Sequence, residues 1–274
     1  MNSQPPTGRI KAKRRRFEQV VADLRHIVFL VVRHRKAEGG KTAKSLGSGF
    51  FVSSKVFLTC YHVINSKGAP HQDGDEYHLV SNLTGTSGAI HVISDAQVGN
   101  NLHLFPECDL ALLFPTAKKD QPFAALDYAD VPIGKEIGVA GYPLPNLIVA
   151  DGRLRYDGLI YRAAKGTVNA IYTTSIRTEE GGRLPNIPVI EVNFLFVPGN
   201  SGGPIFDSET GRILGFVHGY HAEKIRERVE QATLVEDIPD GVNKTYIENL
   251  NAIYSLGIKL DTVRPQLEKF GVSL

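Results

Sequence analysis

Read for the spacing of its apolar positions, the chain is a succession of short strands with few helices. Phe17, Val20, Val21 and Leu24 recur at helical intervals and predict a short amphipathic helix over Phe17–His26. The continuous apolar run Ile27–Val32 reads as a buried strand, and the Gly- and Lys-rich Lys36–Lys44 as an exposed hairpin loop. Two strands joined by a tight turn at Ser53-Ser54-Lys55 then lead to His62, where the second strand gives way to a turn. Tyr77–Val80, Ala89–Ile93 and the apolar stretch Leu110–Phe114 continue the pattern. Downstream, Ile137–Pro143 reads as a strand entering a turn, and Leu159–Ile171 as a strand pair around Lys165-Gly166. Thr173–Pro188, with Gly181, Gly182, Pro185 and Pro188, reads as a mobile loop. Val189–Phe196, Ile213–Gly219 and Ile253–Leu260 are further strands, and Ala222–Gln231 is helical in composition. Asp261-Thr262 offers an N-cap for a closing helix over Val263–Phe270. No internal repeat is evident, but the strand-rich pattern occurs twice, before and after about Pro122.

Composition supports this picture without narrowing it. With 42% hydrophobic and 22% charged residues, the 274-residue chain is ordinary for a soluble globular protein. It is long enough for one large β domain or two lobes. The 27 glycines and 15 prolines, spread along the chain, fit an architecture with many turns. A net charge of +2 is too small for the whole body to seek a polyanion. Positive charge is concentrated in Arg9, Lys11, Lys13, Arg14, Arg15 and Arg16. Without interleaved aromatics this run reads as a flexible basic tail over residues 1–16, a weak nucleic-acid or acidic contact being its alternative use. No apolar core of signal-peptide length precedes it, and Ile27–Val32 is too short to span a bilayer. The expected location is therefore cytoplasmic, with Cys60 and Cys108 reduced and no disulfide framework.

The chemistry concentrates in Val197–Phe206, where Ser201 sits among Gly199, Gly202 and Gly203, with Pro198 and Pro204 on either side. Such a loop can aim two backbone N–H groups at one point beside an exposed hydroxyl. Acyl transfer needs that pairing of a nucleophile with a site for the oxyanion. Asp109 stands at the mouth of the apolar strand Leu110–Phe114, and a carboxylate there demands a partner. Asp95, Asp120 and Asp127 lack that context and read as surface residues. Gly199-Asn200-Ser201-Gly202-Gly203 also fits the G-x-S-x-G pattern of α/β-hydrolases, but that fold needs a helix after the serine, and Pro204-Ile205-Phe206 continues as a strand. It also needs an acid and then a histidine downstream, whereas His218 and His221 precede Asp237 and Asp240.

Thr59-Cys60-Tyr61-His62, Asp109-Leu110-Ala111-Leu112 and Gly199-Asn200-Ser201-Gly202-Gly203-Pro204 occur in the order His, Asp, Ser. In this the chain resembles the chymotrypsin-like (trypsin-like) serine proteases. Gly47-Ser48-Gly49-Phe50, Gly141-Tyr142-Pro143, Pro198 and the closing Ile258–Pro265 resemble the HtrA/Deg branch in particular, as a protease domain without PDZ. The resemblance implies an all-β fold of two six-stranded antiparallel barrels, with a short N-terminal and a C-terminal helix. The N-terminal barrel would span about 27–121 and the C-terminal barrel about 122–274, with an insertion at about 221–252. It implies a serine endopeptidase in which Ser201 is the nucleophile, His62 the base and Asp109 its orienting acid, with the N–H groups of Gly199 and Ser201 as oxyanion hole. By the same pattern Leu195 would form the base of the specificity pocket, with His218, Gly219 and Tyr220 along its wall. An apolar base implies a preference for aliphatic residues before the scissile bond. The His218 side chain is expected to face Asp109, where the family usually has a hydroxyl residue. The resemblance implies a polypeptide substrate and no cofactor or metal, and leaves room for an activating protein partner and for homo-oligomers. A rival reading is a latent, protease-like binding module that a partner activates by ordering Thr173–Pro188.

Overall fold

A computed structural model describes residues 14–37, 40–68, 70–82, 91–97, 101–116, 120–143, 146–150, 153–157, 159–177, 183–223 and 252–272. Helix α1, Phe17–Leu24, buries Val20 and Leu24, the positions its apolar spacing singled out. Seven strands follow, all antiparallel: β1 Val28–Ala37, β2 Gly40–Phe51, β3 Phe57–Cys60, β4 Glu76–Ser81, β5 His91–Gln97, β6 Leu102–Phe105 and β7 Leu110–Leu113. They form one sheet in the order β5-β4-β1-β2-β3-β7-β6. Helix α2, Tyr61–Ile64, is a single turn placed directly after β3. Val28–Val32 are buried without exception, as a continuous apolar run with both faces covered should be.

The second lobe begins with β8, Glu136–Gly141. A separate hairpin follows, β9 Asn146–Ala150 with β10 Arg153–Asp157. The remaining strands are β11 Arg162–Arg177, β12 Arg183–Val192, β13 Pro204–Asp207, β14 Ile213–Glu223 and β15 Ala252–Lys259. With β8 they close into a six-stranded barrel in the order β11-β12-β15-β14-β13-β8. The all-β, two-lobed expectation is thus met, with seven strands rather than six in the first lobe. The insertion expected at about 221–252 falls between β14 and β15, and residues 224–251 lie outside the described residues.

The first and last described helical segments each pack on the lobe remote from them in sequence. Phe17 of α1 stacks on Phe206 of β13 at 6.0 Å, and Tyr161 Oη donates to the Val21 carbonyl. At the other end a 3₁₀ turn, Leu260–Val263, leads into α3, Arg264–Lys269. Phe270, just beyond α3, packs against His103, Phe105 and Phe114 of the first lobe. Arg15 pairs with Asp23 and donates to the Thr210 carbonyl, while Arg14 pairs with Glu209 and Arg16 with Glu18. The basic run is therefore tied to the body from Arg14 onward, which corrects the reading of a flexible tail through residue 16. Residues 1–13 lie outside the described residues.

Three segments read as containing turns or loops carry more strand than expected. Residues 162–177 form one continuous strand through Gly166, which pairs with Ile137 of β8. Of the expected mobile loop Thr173–Pro188, residues 173–177 and 183–188 are paired strand, with Thr173 opposite Pro188 and Thr174 opposite Ile187, and residues 178–182 lie outside the described residues. The Lys36–Lys44 segment is likewise strand on both sides of its tip.

Candidate active site

The pairing of β3 with β7 sets Cys60 opposite Leu110, so His62 and Asp109 leave neighbouring strand ends together. Tyr61 N–H donates to the Asp109 carbonyl at 3.0 Å, locking the two ends. Asp109 follows a 3₁₀ turn, Pro106–Cys108, and takes a left-handed conformation (φ 51°, ψ 38°), which Asp tolerates better than most residues. That twist turns its carboxylate onto His62. Oδ1 accepts from the His62 backbone N–H at 3.0 Å, and the ring Nδ1 lies 2.9 Å from Oδ2 and 3.1 Å from Oδ1. The residue is only 3% exposed. Burial by itself would push its carboxyl up, but the charge of His62 and hydrogen bonds from His218 and His62 together hold it well below the usual carboxylate range.

Ser201 reaches the same place from the second lobe. Its loop is folded by backbone bonds: Asn200 N to Val197 O at 3.0 Å, Gly203 N to Asn200 O at 2.8 Å and Gly202 N to Val217 O at 2.8 Å. Gly199 and Gly202 have φ of 96° and 82°, where a side chain is strained. A Cβ on Gly202 would also run into the Ser48 carbonyl and Thr59 Oγ1. Among the described residues the N–H groups of Gly199 and Ser201 donate to no protein acceptor. Ser201 Oγ donates to the His218 carbonyl at 3.2 Å, and the His218 ring stands edge-on to His62 with centroids 5.4 Å apart. The expected His, Asp and Ser are therefore gathered at one place between the lobes.

Ser48 is a residue that sequence reasoning used as a motif letter and not as a participant. Fully buried on β2, it donates from Oγ to the Gly199 carbonyl at 2.7 Å and accepts from Tyr142 N at 2.9 Å. Its own N–H donates to the Ser201 carbonyl at 2.8 Å. One side chain thus braces the serine loop, β8 and the first lobe together. Ser48→Ala leaves a buried carbonyl and a buried N–H without that partner, which costs about 1–3 kcal/mol. A lowered denaturation midpoint, together with slower reaction at Ser201, is the expected result.

The expected pocket residues are placed differently. Leu195 is 56% exposed and does not close the base of a pocket. Phe194 and Phe196 pack on each other, and Phe196 N–H is held by Ser255 Oγ at 2.8 Å, so the residue between them turns outward. The His218 imidazole, which the family pattern sets along the pocket wall but which was expected to face Asp109, lies with Nδ1 2.6 Å from Asp109 Oδ2. Gly219 faces open space, and an added Cβ there would touch nothing within 4 Å. Tyr220 pairs through its backbone with Ser255, and its side chain lies outside the described residues.

Cys60 and Cys108 are free and buried. Burial, and after it the nearby Asp109 charge, pushes the Cys60 thiol well above its ordinary value. Burial with Glu107 and Asp109 pushes Cys108 up to about 12. Both stay protonated, whereas redox chemistry needs the thiolate, so they act as small buried apolar groups. Ligand atoms of Cys60, His62 and Asp109 lie within 4.8 Å of one another. Metal binding there would need the Cys60 proton removed and its bond to the Val217 carbonyl, at 3.1 Å, broken.

Two packed β lobes with these groups at their junction define a chymotrypsin-like double barrel. The whole chain is similar in fold to the Rv3671c protease of M. tuberculosis. Against its active form the TM-score is 0.59 at 16% identity, covering 100% of this chain and 94% of that one. Against the inactive form of a mutant it is 0.52 at 18% identity, covering 93% and 91%. Residues 47–216, more than half of the chain, match the trypsin-like peptidase domain family, and the chain belongs to that family. It is 28% identical over 187 residues to a probable periplasmic serine endoprotease, DegP-like, of Pseudomonas putida, covering 67% of this chain and 31% of that protein. It is 27% identical over 204 residues to the uncharacterized protein y4bJ of Sinorhizobium fredii, covering 73% and 25%. The DegP-like relatives agree with the HtrA/Deg type of the motifs, and the chain spans about a third or less of the length of these relatives.

Proposed function

We propose that the chain is a serine endopeptidase acting through Ser201, His62 and Asp109. The observation that carries this reading is that His62 and His218 both meet Asp109, at 2.9 Å and 2.6 Å, while Ser201 Oγ meets the His218 carbonyl at 3.2 Å in a loop whose Gly199 and Ser201 N–H groups have no acceptor among the described residues. In the reaction, His62 takes the Ser201 proton as Oγ attacks the substrate carbonyl, and the proton passes to the leaving amine as the acyl-enzyme forms. The two N–H groups receive the oxyanion, each contributing about 3 kcal/mol in comparable sites. Water, deprotonated by the same imidazole, then releases the acyl group. Asp109 keeps Nδ1 protonated, so that Nε2 is the basic nitrogen.

For the substrate preference, the open space at Gly219 leaves room for a side chain beside the site. Aliphatic residues before the scissile bond are the expected choice. Digestion of an unbiased peptide library, with cleavage sites read by mass spectrometry, tests this. Enrichment of Val, Leu, Ile or Ala before the cut is expected; cleavage after Lys or Arg would contradict it. In the rival reading, a module awaiting the ordering of residues 173–188, the described flanks 173–177 and 183–188 are already paired strand, and a folded wild type that takes no fluorophosphonate label would favour that reading.

A further inference from the structure

Asp109 holds two imidazoles, and only one of them belongs to the mechanism above. His218 Nδ1 lies 2.6 Å from Asp109 Oδ2, closer than His62 Nδ1 at 2.9 Å from the same oxygen. Its side chain is 13% exposed. It stands at a register shift between Val217 and Gly219 in β14, and its ring meets Asp109 of the first lobe. The titratable groups around it are Asp109 from the turn before β7, His62 from α2 and the Cys60 thiol from β3, which bonds the Val217 carbonyl. From β15, Gly257 and Leu256 lie beside it and bring no charge.

Both rings meet Asp109 through Nδ1, so in their neutral forms both carry the Nδ1 proton and have Nε2 free to bind another. One carboxylate charge favours one imidazolium, and a second positive ring 5.4 Å away is opposed. The two rings therefore compete for one carboxylate oxygen, at 2.6 Å and 2.9 Å. We propose that His218 is a positioning residue whose protonation controls the site. Neutral, it donates to Asp109 and holds the carboxylate in line with His62. Protonated at Nε2 by solvent, it takes up the carboxylate's charge and leaves His62 a weaker base. This inference rests on the peptidase reading of the same site.

The test is the rate of inactivation by a fluorophosphonate as a function of pH, in wild type, H218S and H218A. H218S keeps a donor near Asp109 but has no group that titrates. Wild type loses reactivity when either imidazole binds a proton, and H218S only when His62 does. The acid limb of H218S is therefore expected at lower pH and to follow a single proton. H218A, lacking the donor, is expected to react about tenfold more slowly at every pH, with the Ser variant restoring the rate. Coincident acid limbs for wild type and H218S overturn the proposal. Proton NMR of the wild type alone gives a second arm: two downfield imidazole N–H signals are expected at neutral pH, and a single one overturns it. Wild type that is not labelled at any pH overturns the peptidase reading instead, and with it any catalytic use of His218.

Discussion

Ser201→Ala is expected to reduce peptide hydrolysis by about a millionfold, to the level left by binding and the oxyanion site alone. The argument is that nothing else at the junction can form the acyl bond. Among the described residues Cys60 is another thiol or hydroxyl near Asp109, and its thiol is buried, protonated and bonded to the Val217 carbonyl. The variant should fold normally. The hydroxyl makes one long bond, to the His218 carbonyl at 3.2 Å, while the loop is held by backbone bonds and by Ser48. Turnover of the best library peptide and the thermal midpoint, measured side by side, check both halves.

Asp109→Asn has the second-largest expected effect, a loss of about 10⁴-fold in kcat, because an amide no longer dictates which nitrogen of His62 carries the proton. Here the loss is compounded, since two imidazoles would compete for one carbonyl oxygen. The same change alters stability in acid. The Asp109 carboxyl titrates well below its ordinary value of about 3.9, so it stabilises the folded state above that value and loses this contribution as pH falls through the range beneath it. Denaturant midpoints followed downward from about pH 5 should therefore fall more steeply for wild type than for D109N. Parallel curves would mean that the buried carboxylate is not held ionised by its two histidines.

The parts of this molecule legible in the sequence are those where local chemistry and tertiary demand agree. The run at Val28–Val32, the amphipathic spacing of α1 and the glycines around Ser201 each have one physical solution, and the structure adopts it. Asp109 was legible because a carboxylate beside Leu110–Leu113 cannot be buried without a partner. The errors share another cause. Gly166 and the prolines 185 and 188 are turn signals taken singly, yet neighbouring strands impose a register that overrides them. Pro188 sits opposite Thr173, and a proline is tolerated in a strand where its nitrogen owes no hydrogen bond. The short β6 and the β9–β10 hairpin were passed over because runs of four or five residues carry little periodicity. At the C-terminus, Asp261 and Thr262 lie in the 3₁₀ turn, and α3 starts later because Pro265 fits its first turn.

Within the candidate site, the sequence pointed to the proposed reacting groups but not to their supports. Ser48 acts through contacts more than 90 positions away, to Tyr142 and Gly199, for which no local pattern exists. Leu195 was placed by family pattern, whereas the packing of Phe194 on Phe196 decides where it points. His218 was legible only through strand alternation, which separated its face from that of Val217.

The most direct test of the account is to treat the wild-type protein with a fluorophosphonate and locate the adduct by peptide mass spectrometry, with Ser201→Ala and His62→Ala alongside. A single adduct on Ser201, absent from S201A and strongly reduced in H62A, is the predicted result. A folded wild-type protein that takes no label, or takes it at another residue, would contradict the assignment of Ser201, His62 and Asp109 as a working catalytic site.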